Sequence, residues 1–176
     1  MLTAMLAPLL RYWPFAALIA SAAMLAAAHL FEYFGYQPCL LCLRQREIYW
    51  AALAVAAAAI AARKVLHKFP ATVLVSDVLL GLVFLTGMVV AIYHAGAEWK
   101  FWPGPSQCAA AGGLNAADLL DALNKPIHPP SCEDAAWRMF GVSMAGYNAV
   151  ISAGLAGLSF LAAFAPRTGD DLGRND

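Results

Sequence analysis

The chain reads as an all-α polytopic membrane protein, a four-helix bundle with a long loop between its third and fourth spans. Three observations predict this. Hydrophobic residues make up 62% of the 176 residues and charged residues only 12%, against about 25% charged in soluble domains. Four long apolar runs punctuate the chain, and a membrane-spanning helix needs about 20 predominantly apolar residues. Those runs lack strand-like alternation, and lipid admits only helices and closed barrels. The length suits one domain, 1–176. A formal net charge of zero leaves no electrostatic footprint for nucleic acid.

The first span, about 12–30, follows Arg11. Ala26, Ala27 and Ala28 imitate a signal-cleavage site, but the run exceeds the apolar core of a secretory signal and three more spans follow, so an uncleaved helix is expected. The second run, Ile48 to Ala62, is short unless the helix begins near Leu43. A span over 43–62 then carries Arg44, Arg46 and Glu47 in its first turn, where long side chains snorkel to the interface. The third span covers 73–94. Asp77 near its start lies about 25 Å from His94 at 1.5 Å per residue, which points to a structural role at the far interface. The fourth covers 142–164. Pro103-Gly104-Pro105 ends the third helix's extension, and Leu114 to Leu123 has the pattern of a short amphipathic helix on the membrane surface. Trp99, Phe101, Trp102 and Trp137 read as an interfacial aromatic belt.

Basic residues orient the bundle. Arg63, Lys64 and Lys68 crowd the short turn between the second and third spans. Arg11, Arg167 and Arg174 fall on the same side, which the positive-inside rule makes cytoplasmic. Arg44, Arg46, Lys100, Lys125 and Arg138 on the other side are spread over longer segments and accompanied by acids. Both termini are then inside, and segments 31–42 and 95–141 are outside.

All four cysteines fall on the outer side: Cys39 and Cys42 before the second span, Cys108 and Cys132 in the long segment. An even count on an oxidising face reads as disulfide chemistry. Four cysteines allow three pairings. Proximity favours Cys39–Cys42 and Cys108–Cys132, and inter-loop pairing stays open. Cys108–Cys132 also fits a plain loop staple, worth roughly 3–4 kcal/mol in the chain-entropy model. Closing the short Cys39–Cys42 ring constrains little chain, so that pair reads as redox-active. A four-cysteine zinc site is disfavoured by the single C-x-x-C and the wide second pair, and no metal is expected.

The local chemistry agrees. A helix starting near Pro38 would aim its free N–H groups at the cysteines, and a helix N-terminus stabilises thiolate. Cys42 and Arg46 are four apart and share a helix face, whereas Arg44 points off it. Arg46 then serves either a ligand carbonyl near the sulfur or lipid phosphate. His94 reads equally as a proton carrier or as an interfacial histidine, with Glu98 one turn on as a partner.

These motifs carry a resemblance. C-L-L-C-L-R-Q-R at 39–46, Y-H-A-G-A-E-W-K-F-W-P-G-P at 93–105 and S-C-E-D-A-A-W at 131–137 resemble the DsbB family of bacterial inner-membrane disulfide-generating proteins over nearly the whole chain. The resemblance implies a thiol:quinone oxidoreductase of the inner membrane, its cysteines periplasmic and its long loop a periplasmic one. Cys108 and Cys132 match the pair that oxidises a DsbA-like thioredoxin-fold partner, with Cys108 the sulfur attacked. Cys132 then exchanges with Cys39, and electrons leave through Cys42 to a quinone, ubiquinone or menaquinone. Arg46 matches the residue that holds and polarises the quinone, and His94 lies at the quinone end of the third helix. A DsbA-like protein is a strong oxidant, so a quinone acceptor supplies the driving force that glutathione-range couples lack. Two rivals remain: a vitamin K epoxide reductase-like enzyme, disfavoured because its C-x-x-C comes late in the chain, and a structural membrane subunit with two stabilising disulfides.

Overall fold

The computed structural model describes residues 2–66, 69–106, 108 and 131–165. The amphipathic pattern at Leu114–Leu123 lies outside them, as do Lys68, Lys125, Arg167 and Arg174. Helix α1 (Leu2–Arg11) precedes four helices long and apolar enough to cross a membrane: α2 (Trp13–Tyr33), α3 (Leu40–Val65), α4 (Pro70–Glu98) and α5 (Met144–Phe164). The short second apolar run is resolved by its start. Helix α3 begins at Leu40 and runs 26 residues, with Arg44, Arg46 and Glu47 in its opening turns and Arg63 and Lys64 in its last.

One feature departs from an all-helical reading. Arg138–Met139 (β1) and Val142–Ser143 (β2) form a minimal antiparallel hairpin. Its two turn residues, Phe140 and Gly141, both have positive φ (49° and 81°), the backbone that matches strand twist in a two-residue loop. Ser143 then caps α5, its hydroxyl accepting from the Gly146 N–H at 3.2 Å.

Neighbouring helices pack in sequence order, and α4 against α5 is the most extensive seam. Small residues set the spacing, since lipid supplies no hydrophobic drive between helices and close backbone approach must do so. Ala17, Ala52 and Ala56 are wholly buried, alongside Leu80, Phe84 and Trp13. A Cβ added at Gly81 would lie 2.8 Å from the Phe160 ring. Trp13 donates from Nε1 to Ser159 Oγ at 2.8 Å, pinning α2 to α5.

Polar residues mark the two ends of the bundle. At one end, buried Asp77 on α4 pairs with Arg63 near the end of α3, and Ser76 Oγ accepts from the same guanidinium at 3.2 Å. At the other end the chain leaves α2 and α4 by the same device. Past α2, Gly35 (φ 92°) donates to Glu32 O and Tyr36 to Phe31 O. Past α4, Lys100 (φ 61°) donates to Ala97 O and Phe101 to Gly96 O. Both are Schellman closures, which satisfy the last helical carbonyls. Lys100 holds a backbone that glycine adopts more easily, and its ammonium reaches Glu133 O at 2.8 Å. The closures bring the segments carrying Cys39 and Cys132 to one end of the bundle.

Candidate active site

Cys39 is the N-cap of α3. Its sulfur accepts from the Cys42 N–H at 3.3 Å. Pro38 before it suits an extended approach to the helix, and the C-x-x-C spacing then places the second sulfur one turn on. The two are free thiols with Sγ atoms 3.1 Å apart, Cys39 buried and Cys42 half-buried. The Cys42 thiol, hydrogen-bonded to Cys39, holds the Cys39 thiol well below its ordinary range, to about 4. His94 acts the same way, and burial opposes both.

His94 comes from α4. Its Nε2 lies 3.5 Å from Cys39 Sγ and 3.7 Å from Glu98 Oε1. Both His94 and Glu98 are buried. The structure gives His94 a buried place beside the Cys39 sulfur, with Glu98 one turn along as its neighbour.

Behind His94 runs a buried polar chain that the sequence reading missed. Gln45 Nε2 lies 2.9 Å from His94 Nδ1, Asn148 Nδ2 donates to Gln45 Oε1 at 2.7 Å, and Tyr49 Oη donates to Asn148 Oδ1 at 2.5 Å. Ser152 Oγ is 3.1 Å from Tyr49 Oη. In this orientation Nδ1 accepts, so the ring proton sits on Nε2 and faces Cys39. The signal was present in the sequence. Asn148 and Ser152 stand four apart in an apolar run, and polar groups inside a span seek partners on neighbouring helices.

Arg46 takes a different direction from the cysteines. Its guanidinium donates to Glu32 Oε2 at 2.6 Å and to Ala28 O at 3.0 Å, both on α2. Arg44 points outward and pairs with Glu47 at 2.8 Å.

Cys108 and Cys132 form a disulfide, and both are buried. This disulfide, Cys39 and Leu41 make one packed cluster, with Leu40 and Cys42 against it. Glu133 anchors the Cys132 segment by accepting from the Gly104 N–H at 2.8 Å. A Cβ at Gly104 would come 3.2 Å from Glu133 and 3.7 Å from Cys132, so glycine permits this approach. Aromatic rings surround the same end. Trp102 stacks on Tyr93 and donates to Tyr93 O, while Trp137 packs between Phe31 and Tyr147. Trp99 packs edge to face on Phe101 just past α4.

Four helices of membrane-spanning length thus hold a C-x-x-C pair packed against a second, disulfide-bonded cysteine pair. The family model described as disulfide bond formation protein DsbB matches residues 10–162, most of the chain. The chain belongs to the DsbB family, and with it to the membrane oxidoreductases of disulfide-bond formation. No individual curated protein and no solved structure matched it.

Proposed function

We propose that this protein reoxidises a periplasmic DsbA-like thiol oxidase through Cys108–Cys132 and passes the electrons through Cys39 and Cys42 to a membrane quinone. The observation that carries the proposal is the single cluster holding both cysteine pairs. Thiol–disulfide exchange requires sulfur to attack sulfur through a mixed disulfide, and two couples packed together can exchange without a second carrier.

The sequence of exchanges balances. A thiolate of the partner attacks Cys108, breaking the Cys108–Cys132 bond and releasing Cys132 as thiolate. The partner's second thiol resolves the mixed disulfide, so the partner leaves oxidised and Cys108 and Cys132 hold two electrons. Cys132 then attacks Cys39 of an oxidised Cys39–Cys42 pair, and Cys108 closes on Cys132 to restore the disulfide. Cys39 and Cys42 are left as the dithiol. In the structure the Cys108 and Cys132 sulfurs are bonded, while those of Cys39 and Cys42 are unbonded at 3.1 Å, which supports this order.

The dithiol must next give up two electrons. A quinone, when bound, accepts two electrons and two protons and leaves the Cys39–Cys42 disulfide behind. The residues at hand fit such an acceptor. An apolar groove of about 420 Å³ between α3 and α4 is lined by Leu41, Ile48, Val89, Val90 and Tyr93, with Arg44 and Glu47 at its edge. Leu41 sits between the two cysteines in sequence. His94 presents its Nε2–H to the sulfur of Cys39, where it stabilises thiolate and stands ready to move a proton. Arg46, which the family resemblance assigns to the quinone, is held by Glu32 and Ala28 outside this groove and would have to leave those partners to orient a quinone carbonyl.

This places the cysteines in the periplasm and both termini in the cytoplasm. The test is a trapping experiment. A DsbA-like partner lacking its resolving cysteine should accumulate as a mixed disulfide mapped by mass spectrometry to Cys108. A bond mapped to Cys39 or Cys42 would reverse the assignment of the two pairs.

A further inference from the structure

We propose that the reduced Cys39–Cys42 pair and His94 form a three-ligand binding site for one thiophilic divalent metal ion, zinc or cadmium, with the Glu98 carboxylate beside His94, and that a bound ion holds the pair out of exchange. The proposal needs only the reduced dithiol seen here, so it stands apart from the quinone route.

The donor geometry is close to what such an ion requires. Cys39 Sγ, Cys42 Sγ and one ring nitrogen of His94 all lie within 4.8 Å of one another. The sulfurs are 3.1 Å apart and Cys39 Sγ is 3.5 Å from Nε2. In a tetrahedral zinc site, bond lengths of about 2.3 Å to sulfur and about 2.0 Å to nitrogen put neighbouring sulfurs roughly 3.8 Å apart and sulfur and nitrogen about 3.5 Å apart. The two sulfurs must separate by under about an ångström, and Cys42 Sγ and the ring nitrogen, which lie within 4.8 Å of each other, must settle at about 3.5 Å. Two thiolates and an imidazole select zinc, cadmium or a similar ion over magnesium and calcium.

Glu98 supplies an independent pointer. Its side chain is 5% exposed, and Oε1 lies 3.7 Å from His94 Nε2. Its Oε2 is buried with no hydrogen-bond partner among the described residues. A buried carboxylate oxygen left without a donor is costly, and a cation at the three ligands would bring positive charge close to this carboxylate.

The outer ligand shell is also in place. A metal on Nε2 moves the ring proton to Nδ1, which must then donate. Gln45 stands 2.9 Å from Nδ1. Turning the Gln45 and Asn148 amides over offers Gln45 Oε1 to that proton. The Gln45–Asn148 and Asn148–Tyr49 contacts keep hydrogen bonds of reversed direction, and Tyr49 then donates to Ser152. The buried chain therefore serves the imidazole in either tautomer.

Binding would be confined to the reduced pair, because a disulfide offers no thiolate. Two sulfur–metal bonds form, the remaining thiol protons leave to solvent, and no electrons move. A metal-loaded dithiol has no free thiolate to exchange.

The experiment uses the full chain carrying Cys108→Ala and Cys132→Ala, reduced anaerobically in detergent and titrated with cadmium or cobalt ion. We expect one ion per chain, a sulfur-to-metal charge-transfer band, and tetrahedral ligand-field colour with cobalt. Forming the Cys39–Cys42 disulfide first should abolish all three. Gln45→Ala, which leaves the ligands intact, should weaken binding by about 10–100-fold. His94→Ala should weaken it further. No charge-transfer band in the parent, or equal affinity with and without His94, would overturn the proposal. Parent stoichiometry and spectrum decide the matter even if a variant fails to fold.

Discussion

Cys39 is set apart from an ordinary thiol by what touches it: the Cys42 thiol, the Cys42 backbone N–H and the His94 ring. Its lowered pKa has a defined sign. A group whose folded pKa is depressed adds stability above its unfolded value and loses it as pH falls through the folded value. The reduced protein, in metal-free buffer, should therefore keep a reactive thiolate at Cys39 through mildly acidic pH, down towards about 4. Alkylation rate against pH, with the modified residue mapped by mass spectrometry, checks this. A rate that falls away below the ordinary thiol range would contradict it. Arg46 makes a second prediction at this scale. Hydrogen bonds to a charged group contribute about 1.5–3 kcal/mol, so Arg46→Ala should raise the quinone KM by about tenfold or more. Arg44→Ala, whose charge is paired with Glu47, should raise it less. Equal effects at the two positions would leave Arg46 a general interfacial role. The C-x-x-C, its helix-start position and the Cys42–Arg46 register were legible because they are local. That Arg46 reaches Glu32 and Ala28, and that Gln45 serves His94, was not: both depend on which helix lies alongside, which a single sequence does not display.

Helix ends position this site, and two glycines show how. Gly35 closes α2 with φ 92°, and an added Cβ there meets nothing within 4 Å. Gly35→Ala should thus act through the backbone alone, destabilising by about 1–2 kcal/mol, read as a lower thermal midpoint in detergent. Gly96 is constrained by contact instead. A Cβ there would lie 2.0 Å from the Trp102 ring. Gly96→Ala should displace that indole, break its bond to Tyr93 O and cost about 1–3 kcal/mol. A change in tryptophan fluorescence matching that of Trp102→Phe would confirm the origin. The four long helices were readable from apolar length alone, since the bilayer fixes that length. The hairpin at Arg138–Ser143 was not, because two-residue strands carry too little pattern and their turn places an aromatic, Phe140, where glycine or asparagine is expected.

The whole molecule keeps two polar clusters at opposite ends of the bundle. Arg63 and Asp77 sit at one end of the bundle, and the cysteines, His94 and Glu98 at the other. Removing one partner of a buried ion pair is costly, so Asp77→Asn should lower stability by up to about 3 kcal/mol without changing electron transfer per folded molecule. Thermal unfolding and quinone kinetics on the same sample test both halves. The sequence placed all four cysteines on one face. The structure adds that the two pairs share one packed cluster, with Cys108–Cys132 as the disulfide and Cys39 and Cys42 as thiols. That arrangement makes a relay the natural reading of a DsbB-family bundle. The most direct measurement is anaerobic mixing of the oxidised protein with reduced DsbA-like partner and quinone, following quinol and partner disulfide in the same sample. The account predicts one quinol for each partner disulfide, with both lost in Cys39→Ser and Cys42→Ser variants that still form the helical bundle. Partner oxidation without quinol, or undiminished turnover in either variant, would contradict it.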